Sequence, residues 1–309
     1  MAVPPPSVLV IKLGALGDFV QALGPFCAIR RHHAGARIVL LTTGPYRKLA
    51  EASGFFDEVW TGGRPAGADI GGWFELRRRL KGVGFGRVYD LQTSDRSSFY
   101  RRLFWPGPGP EWSGIARGCS HPHANPERDS LHTFERQAEQ LSLAGIADVP
   151  SVDLTGPGWK GDVSRFGLPE RTVLLAPGGA AHRPGKRWPA DSFAALARTV
   201  ADRGMTPVLV GTETALLAEI AAQTPQARDL SGQTSLLDLV SLAGGAVAAA
   251  GNDTGPMHLI AATGCPSVVL YSNESDPKLC GQRGPSVTIL RSKALAGLSV
   301  AEVVDAMDL

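Results

Sequence analysis

Short apolar runs alternate along this chain with longer segments whose apolar residues recur at helical spacing, and Gly or Pro marks most of the joins. Residues 8–13 form the first run, bounded by Pro and Gly, and read as a buried strand. Gly14 to Asp18 follow at once, and then Phe19, Val20, Leu23 and Phe26 repeat on one helical face. Pro25 lacks the N–H that a helix interior needs, so the helix kinks or restarts there. Further strands are predicted at 37–42, 58–60 and 87–91, and helices at 73–81, 96–105 and 132–144. Residues 106–130 are rich in Pro, Gly and His and read as one long loop.

The second half repeats the theme. Pro150, Pro157, Gly158, Gly161, Gly167 and Pro169 punctuate a linker, which predicts domains at 1–155 and 156–309. Strands are expected at 172–176, 207–210, 246–250 and 266–270, with a weaker one at 228–230. The helices fall at 190–203, 213–223, 235–243 and 256–263. Ser299-Val-Ala-Glu302 is a capping box that opens a last helix to about Met307, with packing back on the first domain as one option. Alternating strands and helices predict an α/β fold of two doubly wound, Rossmann-like domains, each with a parallel sheet covered on both faces. Ligands of such sheets bind outside the carboxyl ends of the strands. Each Gly-rich loop here follows a strand, so two such domains facing one another would make a cleft with a ligand on each wall.

Composition narrows the class. A length of 309 residues suits two domains, and 43% hydrophobic content suits packed cores rather than disorder. A net charge of +2 argues against a dedicated nucleic-acid binder. Arg30-Arg31-His32-His33, Arg77-Arg78-Arg79 and Arg101-Arg102 are basic clusters in the first half. Such clusters are commonly solvated helix faces; the alternative is a surface for an anionic acceptor or membrane. The four cysteines lack metal-ligand spacing, which points to a reducing compartment. Residues 1–7 carry neither a charged nor an apolar leader region, and no run of about 18 apolar residues occurs. The expectation is a cytoplasmic protein, at most peripheral to a membrane.

Candidate chemistry sits in the loops. Residues 251–271 read as strand end, tight loop, short helix and strand. Asn252 and Asp253 form turns, Thr254 or Gly255 caps the helix, and Pro256 suits its first turn. A helix start leaves N–H groups unpaired and carries partial positive charge, which suits a diphosphate. The plainer alternative is an ordinary turn in which His258 is merely satisfied. Gly14-x-x-Gly17-Asp18 allows close backbone approach, as phosphate loops do, yet matches neither a Walker motif nor G-x-G-x-x-G. Asp18 is either a helix cap or a carboxylate base. In the loop 177–189, Lys186 and Arg187 can neutralise phosphate, and Trp188 packs. Glu213 either binds ribose hydroxyls or favours a helix start by its charge. His121, His123 and His182 are candidate ligand contacts, though exposed inert histidines are commoner.

Together these stretches resemble the heptosyltransferase family of GT-B glycosyltransferases, whose members use ADP-heptose and lipopolysaccharide acceptors. The matching residues are 11–18, Tyr89-Asp-Leu-Gln92 with Arg96-Ser97, His132-x-x-Glu135-Arg136, Pro177-Gly-Gly179, Lys186-Arg-Trp-Pro189, Gly211-x-Glu213 and Gly251-Asn-Asp-Thr-Gly-Pro-Met-His258. They run in the family's order along nearly the whole chain. The resemblance implies an inverting transferase without catalytic metal or cofactor. Its second domain would bind the nucleotide sugar and its first the acceptor, a heptose- or Kdo-bearing anionic glycolipid. Asp18 would be the base, with Gly14 and Gly17 in the acceptor loop. Lys186, Asp253, Thr254, Gly255 and His258 would hold the diphosphate and Glu213 the ribose. The chain departs from the family at Ala180, Ala181 and His182, where hydroxyl residues are common, and at Tyr271-Ser272, where Phe-Gly is common. A UDP- or GDP-sugar transferase and a silent nucleotide-sugar-binding protein are the competing expectations. A dinucleotide-dependent oxidoreductase is disfavoured by the missing fingerprint.

Overall fold

The computed structural model describes residues 7–179 and 182–309, and of Pro157 the backbone alone; Ala180 and Ala181 lie outside the described residues. The chain divides into two units, one ending at Ser151 and one beginning at Val152. The first holds β1 (Ser7–Ile11), β2 (Arg37–Leu41), β3 (Glu58–Trp60), β4 (Arg87–Asp90), β5 (Glu111–Gly114) and β6 (His121–Pro122). The second holds β7 (Thr172–Ala176), β8 (Thr206–Leu209), β9 (Arg228–Asp229), β10 (Ala248–Asn252), β11 (Ser267–Tyr271) and β12 (Val287–Arg291). The sheet orders are β3-β2-β1-β4-β5-β6 and β12-β11-β10-β7-β8-β9, with every pairing parallel. Each unit therefore has the doubly wound strand order, and its direction of winding reverses between β1 and β4 and between β7 and β10.

The central strands are apolar because helices cover both faces of each sheet. Leu9 and Ile11 of β1 and Val173 and Leu175 of β7 have no exposed surface. Gly251 is explained by packing: a Cβ there would lie 2.7 Å from Met257 Sδ and 2.8 Å from the Ala176 carbonyl oxygen. The first helix ends at Gln21 and a second, Leu23–His32, starts directly, with Pro25 in its first turn where an N–H would be unpaired anyway. The last helix, Val300–Met307, opens with the Ser299–Glu302 capping box and buries Val303, Val304 and Met307 in the second unit's core.

Three strands depart from expectation. The supposed loop 106–130 contains β5 and β6, and β12 was not foreseen. β6 is two residues long and β12 is largely exposed at a sheet edge, so neither carries a buried apolar run. The helix expected at 96–105 resolves into Asp95–Tyr100 and a 3-10 turn, Arg101–Phe104. Pro106 disfavours helical backbone at Trp105, which is extended.

Candidate functional site

In the second unit, the carboxyl ends of β7, β8 and β10 carry the loops of interest. Asn252 is the last residue of β10, not part of the turn, and is fully buried. Its Nδ2 donates to the Pro177 carbonyl at 2.7 Å and the Gly178 carbonyl at 3.1 Å, while its Oδ1 accepts from Trp188 N at 3.0 Å. One amide thus fixes the glycine loop and the start of the next helix. Trp188 packs as expected, 2% exposed, with its indole N–H donating to Leu298 O at 3.0 Å.

Glu213 precedes the helix Thr214–Gln223 and reaches back across the loops. Its Oε1 accepts from Gly179 N at 3.1 Å and its Oε2 from Thr212 N at 3.1 Å. A Cβ at Gly178 would fall 2.8 Å from Glu213 Cδ, so that glycine makes room for the carboxylate. A carboxylate has about four acceptor positions, so these bonds leave capacity for ligand hydroxyls.

Lys186 and Asp253 form an ion pair at 2.6 Å, their side chains 14% and 8% exposed. The other Asp253 oxygen accepts from the Tyr271 hydroxyl at 2.9 Å and from Gln282 Nε2 at 3.3 Å. Burial alone would raise the Asp253 carboxyl; the hydrogen bond and charge of Lys186 outweigh it and hold the group below the usual carboxylate range. Burial, and then the Asp253 charge, push the Tyr271 phenol far above its ordinary range, so it stays a donor. Asp253 is accordingly occupied on both oxygens by the protein itself, and it steers Lys186. Arg187 donates to the Gly179 carbonyl, and its Nε is buried without a partner among the described residues.

Thr254 stands at the cap position of the helix Gly255–Ala262 in extended conformation, but its hydroxyl makes no capping bond. That Oγ is buried and has no partner among the described residues. Thr254, Gly255, Asp253, Gly178, Gly179 and Glu213 line one cavity of about 260 Å³. Sites that enclose a whole drug-sized ligand span roughly 300–1,000 Å³, so this one has room for only part of a ligand of that size. His258 is 6% exposed and is not among the lining residues.

In the first unit the loops after β1 and β4 are tied together. Leu13 N donates to Gln92 Oε1 at 2.8 Å, and Lys12, 3% exposed, donates to the Leu91 carbonyl at 3.1 Å. Burial lowers the Lys12 pKa, against the pull of Asp18 and Asp90. Asp18 is the third residue of the helix Leu16–Gln21, whose cap position is Ala15, so the capping alternative fails. Its carboxylate is half-buried and makes no hydrogen bond or ion pair among the described residues. Tyr46 stacks on Phe19 at 4.9 Å and leans against Gly14, whose φ is +124°. A Cβ at Gly14 would lie 2.9 Å from the Tyr46 hydroxyl, and Gly17 sits in the first helical turn.

Several residues here had no assigned role. Arg128 Nε and Nη2 are buried without partners among the described residues, although Nη1 pairs with Asp129 at 2.7 Å. Arg136 lies within electrostatic reach of both Arg128 and Lys12. Of the candidate histidines, His123 is buried and bonded to Glu139 at 3.0 Å, His121 lies on the edge strand β6, and His182 is exposed. None of the three lines the cavity beside Thr254.

Asp90, at the end of β4, is fully buried; burial raises its pKa to about 6 against bonds from Thr93 N and Gln92 N and the Lys12 charge. An unfolded Asp titrates near ~3.9. Between these values the native chain holds a proton that the unfolded chain has lost. Asp90 therefore contributes stability that is fully present below about pH 4 and lost as pH rises through about 6. His33 acts oppositely over this window, because burial, then His32 and Arg87, lower it to about 4. The raw profile mixes both, so the informative quantity is the difference from Asp90→Asn. Chemical denaturation should show the wild type losing on the order of 2–3 kcal/mol relative to the variant between pH 4 and 7. Parallel profiles would remove the buried charge from the account.

Residues 73–303 match the model of glycosyltransferase family 9 (heptosyltransferase). The chain belongs to this family. A segment of 113 residues is 35% identical to lipopolysaccharide heptosyltransferase 2 of Escherichia coli K12, spanning 34% of this chain and 32% of that relative. The structure of E. coli ADP-heptose lps heptosyltransferase II aligns with a TM-score of 0.81 at 23% identity, over 98% of this chain and 97% of that one. E. coli heptosyltransferase WaaC with ADP aligns with a TM-score of 0.75 at 21% identity, over 98% and 99%. The family 9 fold here is α/β of the GT-B type, built from two Rossmann-like units.

Proposed function

We propose that this family 9 chain is an inverting, metal-independent glycosyltransferase. It moves a heptose, or a similar sugar, from a nucleotide diphosphate donor to an anionic glycolipid acceptor of the lipopolysaccharide core, at the membrane surface. The observation that carries the donor side is one cavity lined by Asp253, the unpartnered Thr254 hydroxyl at a helix start and the Glu213 carboxylate, with Lys186 behind it as the ion-pair partner of Asp253. ADP-heptose is the preferred donor because the structural relatives include an ADP-heptose heptosyltransferase and a heptosyltransferase with ADP.

The chemistry follows from charge. The acceptor hydroxyl attacks the anomeric carbon, the new C–O bond forms as the bond to the diphosphate breaks, and configuration inverts. Asp18 takes the hydroxyl proton. A carboxylate is a weak base, so transfer occurs late, once the acceptor oxygen has begun to bond. The departing diphosphate gains negative charge, which Lys186, Arg187 and the helix N-terminus stabilise by fixed electrostatics. Glu213 accepts from the ribose hydroxyls. On the acceptor side, Lys12, Arg128 and Arg136 suit an anionic substrate, and the orphaned Arg128 nitrogens supply the donors.

Calorimetric titration with ADP, UDP and GDP in EDTA, followed by turnover of ADP-heptose in the same buffer, tests this reading. Selective ADP binding and activity that survives EDTA are the expected results. Preference for UDP or GDP would keep the reaction class and replace the heptose. An EDTA-sensitive reaction would overturn the metal-free step, and no binding to any nucleotide would make a silent protein the better reading.

A further inference from the structure

The helix Ile70–Val83 buries Leu76 and Leu80 and turns a second stripe outward. Ile70, Phe74, Arg77 and Lys81 share that face by their helical spacing. Ile70 is 69% exposed and Phe74 66%. The stripe is bonded to the turn after the Arg101–Phe104 segment: Arg77 donates to the Trp105 carbonyl at 2.7 Å and Lys81 to the Pro106 carbonyl at 3.0 Å. Trp105 is itself 75% exposed. Phe99 extends the patch, with its ring 5.5 Å from Trp73 and the Arg102 guanidinium 5.8 Å from its centre.

The cations around these tips differ in how far carboxylates compensate them. On the Ile70–Val83 helix itself Arg78 pairs with Glu75 at 2.7 Å, beside Phe74, Arg77 and Lys81, and elsewhere Arg30 pairs with Asp57 at 2.6 Å. Arg101, Arg102 and Arg117 line one depression with Phe99, and none of them pairs with a carboxylate among the described residues. Asp95 on the same wall offsets part of that charge. Scattered exposed apolar residues need no explanation, but large apolar tips grouped within a ring of cations do.

We propose that this face docks the first unit on an anionic lipid bilayer. Trp105, Phe74 and Ile70 enter the boundary between headgroups and acyl chains, as amphipathic side chains do at membrane interfaces. Arg102, Arg117 and Lys81 meet the lipid phosphates, a pairing of guanidinium or ammonium with phosphate that needs no sequence-specific partner. The inference rests on the glycolipid reading only for why a membrane is at hand; the surface can be tested with no acceptor present.

The test is co-sedimentation of the full chain with vesicles of phosphatidylcholine alone and of phosphatidylcholine mixed with phosphatidylglycerol. Binding is expected to the mixed vesicles, weakened by added salt. Arg102 and Arg117 make no side-chain hydrogen bond among the described residues, so replacing them leaves local structure intact. Arg102→Gln with Arg117→Gln should weaken vesicle binding about 30-fold, the product of two lost surface cations. Trp105→Ser should weaken it separately. ADP affinity in these variants should equal that of the wild type, which shows they are folded and separates this surface from the donor site. Failure of the wild type to bind either vesicle would overturn the proposal and leave the face to a protein partner. So would binding that both sets of substitutions leave unchanged. A chain that binds vesicles but no nucleotide would count against the proposed function while leaving this surface standing.

Discussion

Asp18→Asn is expected to lower turnover by about 10²–10⁴-fold, the span that a positioned general base supplies, while ADP affinity stays at the wild-type value. The expectation rests on where the side chain stands. Asp18 sits in the first turn of a short helix, half-buried, and spends neither carboxylate oxygen on the protein among the described residues. A carboxylate that served as a helix cap would be engaged with a backbone N–H, and the cap here is Ala15. Asparagine matches it in size and orphans no donor, so the fold should survive. One side effect is foreseeable. Lys12 is buried and Asp18 is one of the two anions that favour its charged form. Asp18→Glu controls for this, because it keeps the negative charge and displaces only the oxygens. Both variants should lose kcat with little change in the donor KM, and Asp18→Glu should lose less. A near-normal kcat in Asp18→Asn would take Asp18 out of the mechanism.

Much of this arrangement was legible in the order of residues, and the reason is local. Strand, glycine loop and helix start are neighbours in the chain, so residues 8–18, 172–179 and 246–258 announce their elements by periodicity and punctuation alone. Parallel strands buried on both faces give unbroken apolar runs, which is why β1, β2 and β7 stood out. β5 and β6 did not, because their few residues lie among Pro, Gly and His; β5 is a four-residue inner strand and β6 a two-residue strand at the edge of the sheet. The candidate site was legible as a set of parts and illegible as a circuit. Lys186 and Asp253 are 67 residues apart, and Asn252 and Pro177 are 75 apart. Nothing in the local pattern says that Asn252 pins the glycine loop or that Tyr271 and Gln282 hold Asp253. Tyr271, which departs from the resemblance, supplies the hydroxyl that bonds Asp253. Arg128 was lost for another reason: its importance lies in nitrogens without partners, which only packing reveals.

Lys186→Ala is expected to do two separable things, and separating them decides what the lysine is for. First, it strips the partner from Asp253, whose side chain is 8% exposed. Breaking a buried pair from one side costs about 3–5 kcal/mol, so the second unit should unfold earlier. The pH dependence should also change sign. In the wild type the Asp253 carboxyl is held below its ordinary value, so its contribution is present above the unfolded pKa and lost as pH falls. Without Lys186, burial is less opposed and drives the carboxyl upward, so the contribution is lost as pH rises instead. Second, the diphosphate loses a charged donor, worth roughly 10-fold or more in ADP affinity for a hydrogen bond of about 1.5–3 kcal/mol. The double variant Lys186→Ala with Asp253→Asn resolves the two. It removes both charges, so stability should return to within about 1 kcal/mol of the wild type, as neutral replacements of buried pairs often allow. ADP affinity should stay low, because no cation has been restored at the diphosphate. Calorimetry on the single and double variants reads both quantities. Were the double variant to regain ADP affinity along with stability, the lysine would only be neutralising Asp253. The positive charge at the leaving group would then have to come from Arg187 and the helix N-terminus alone.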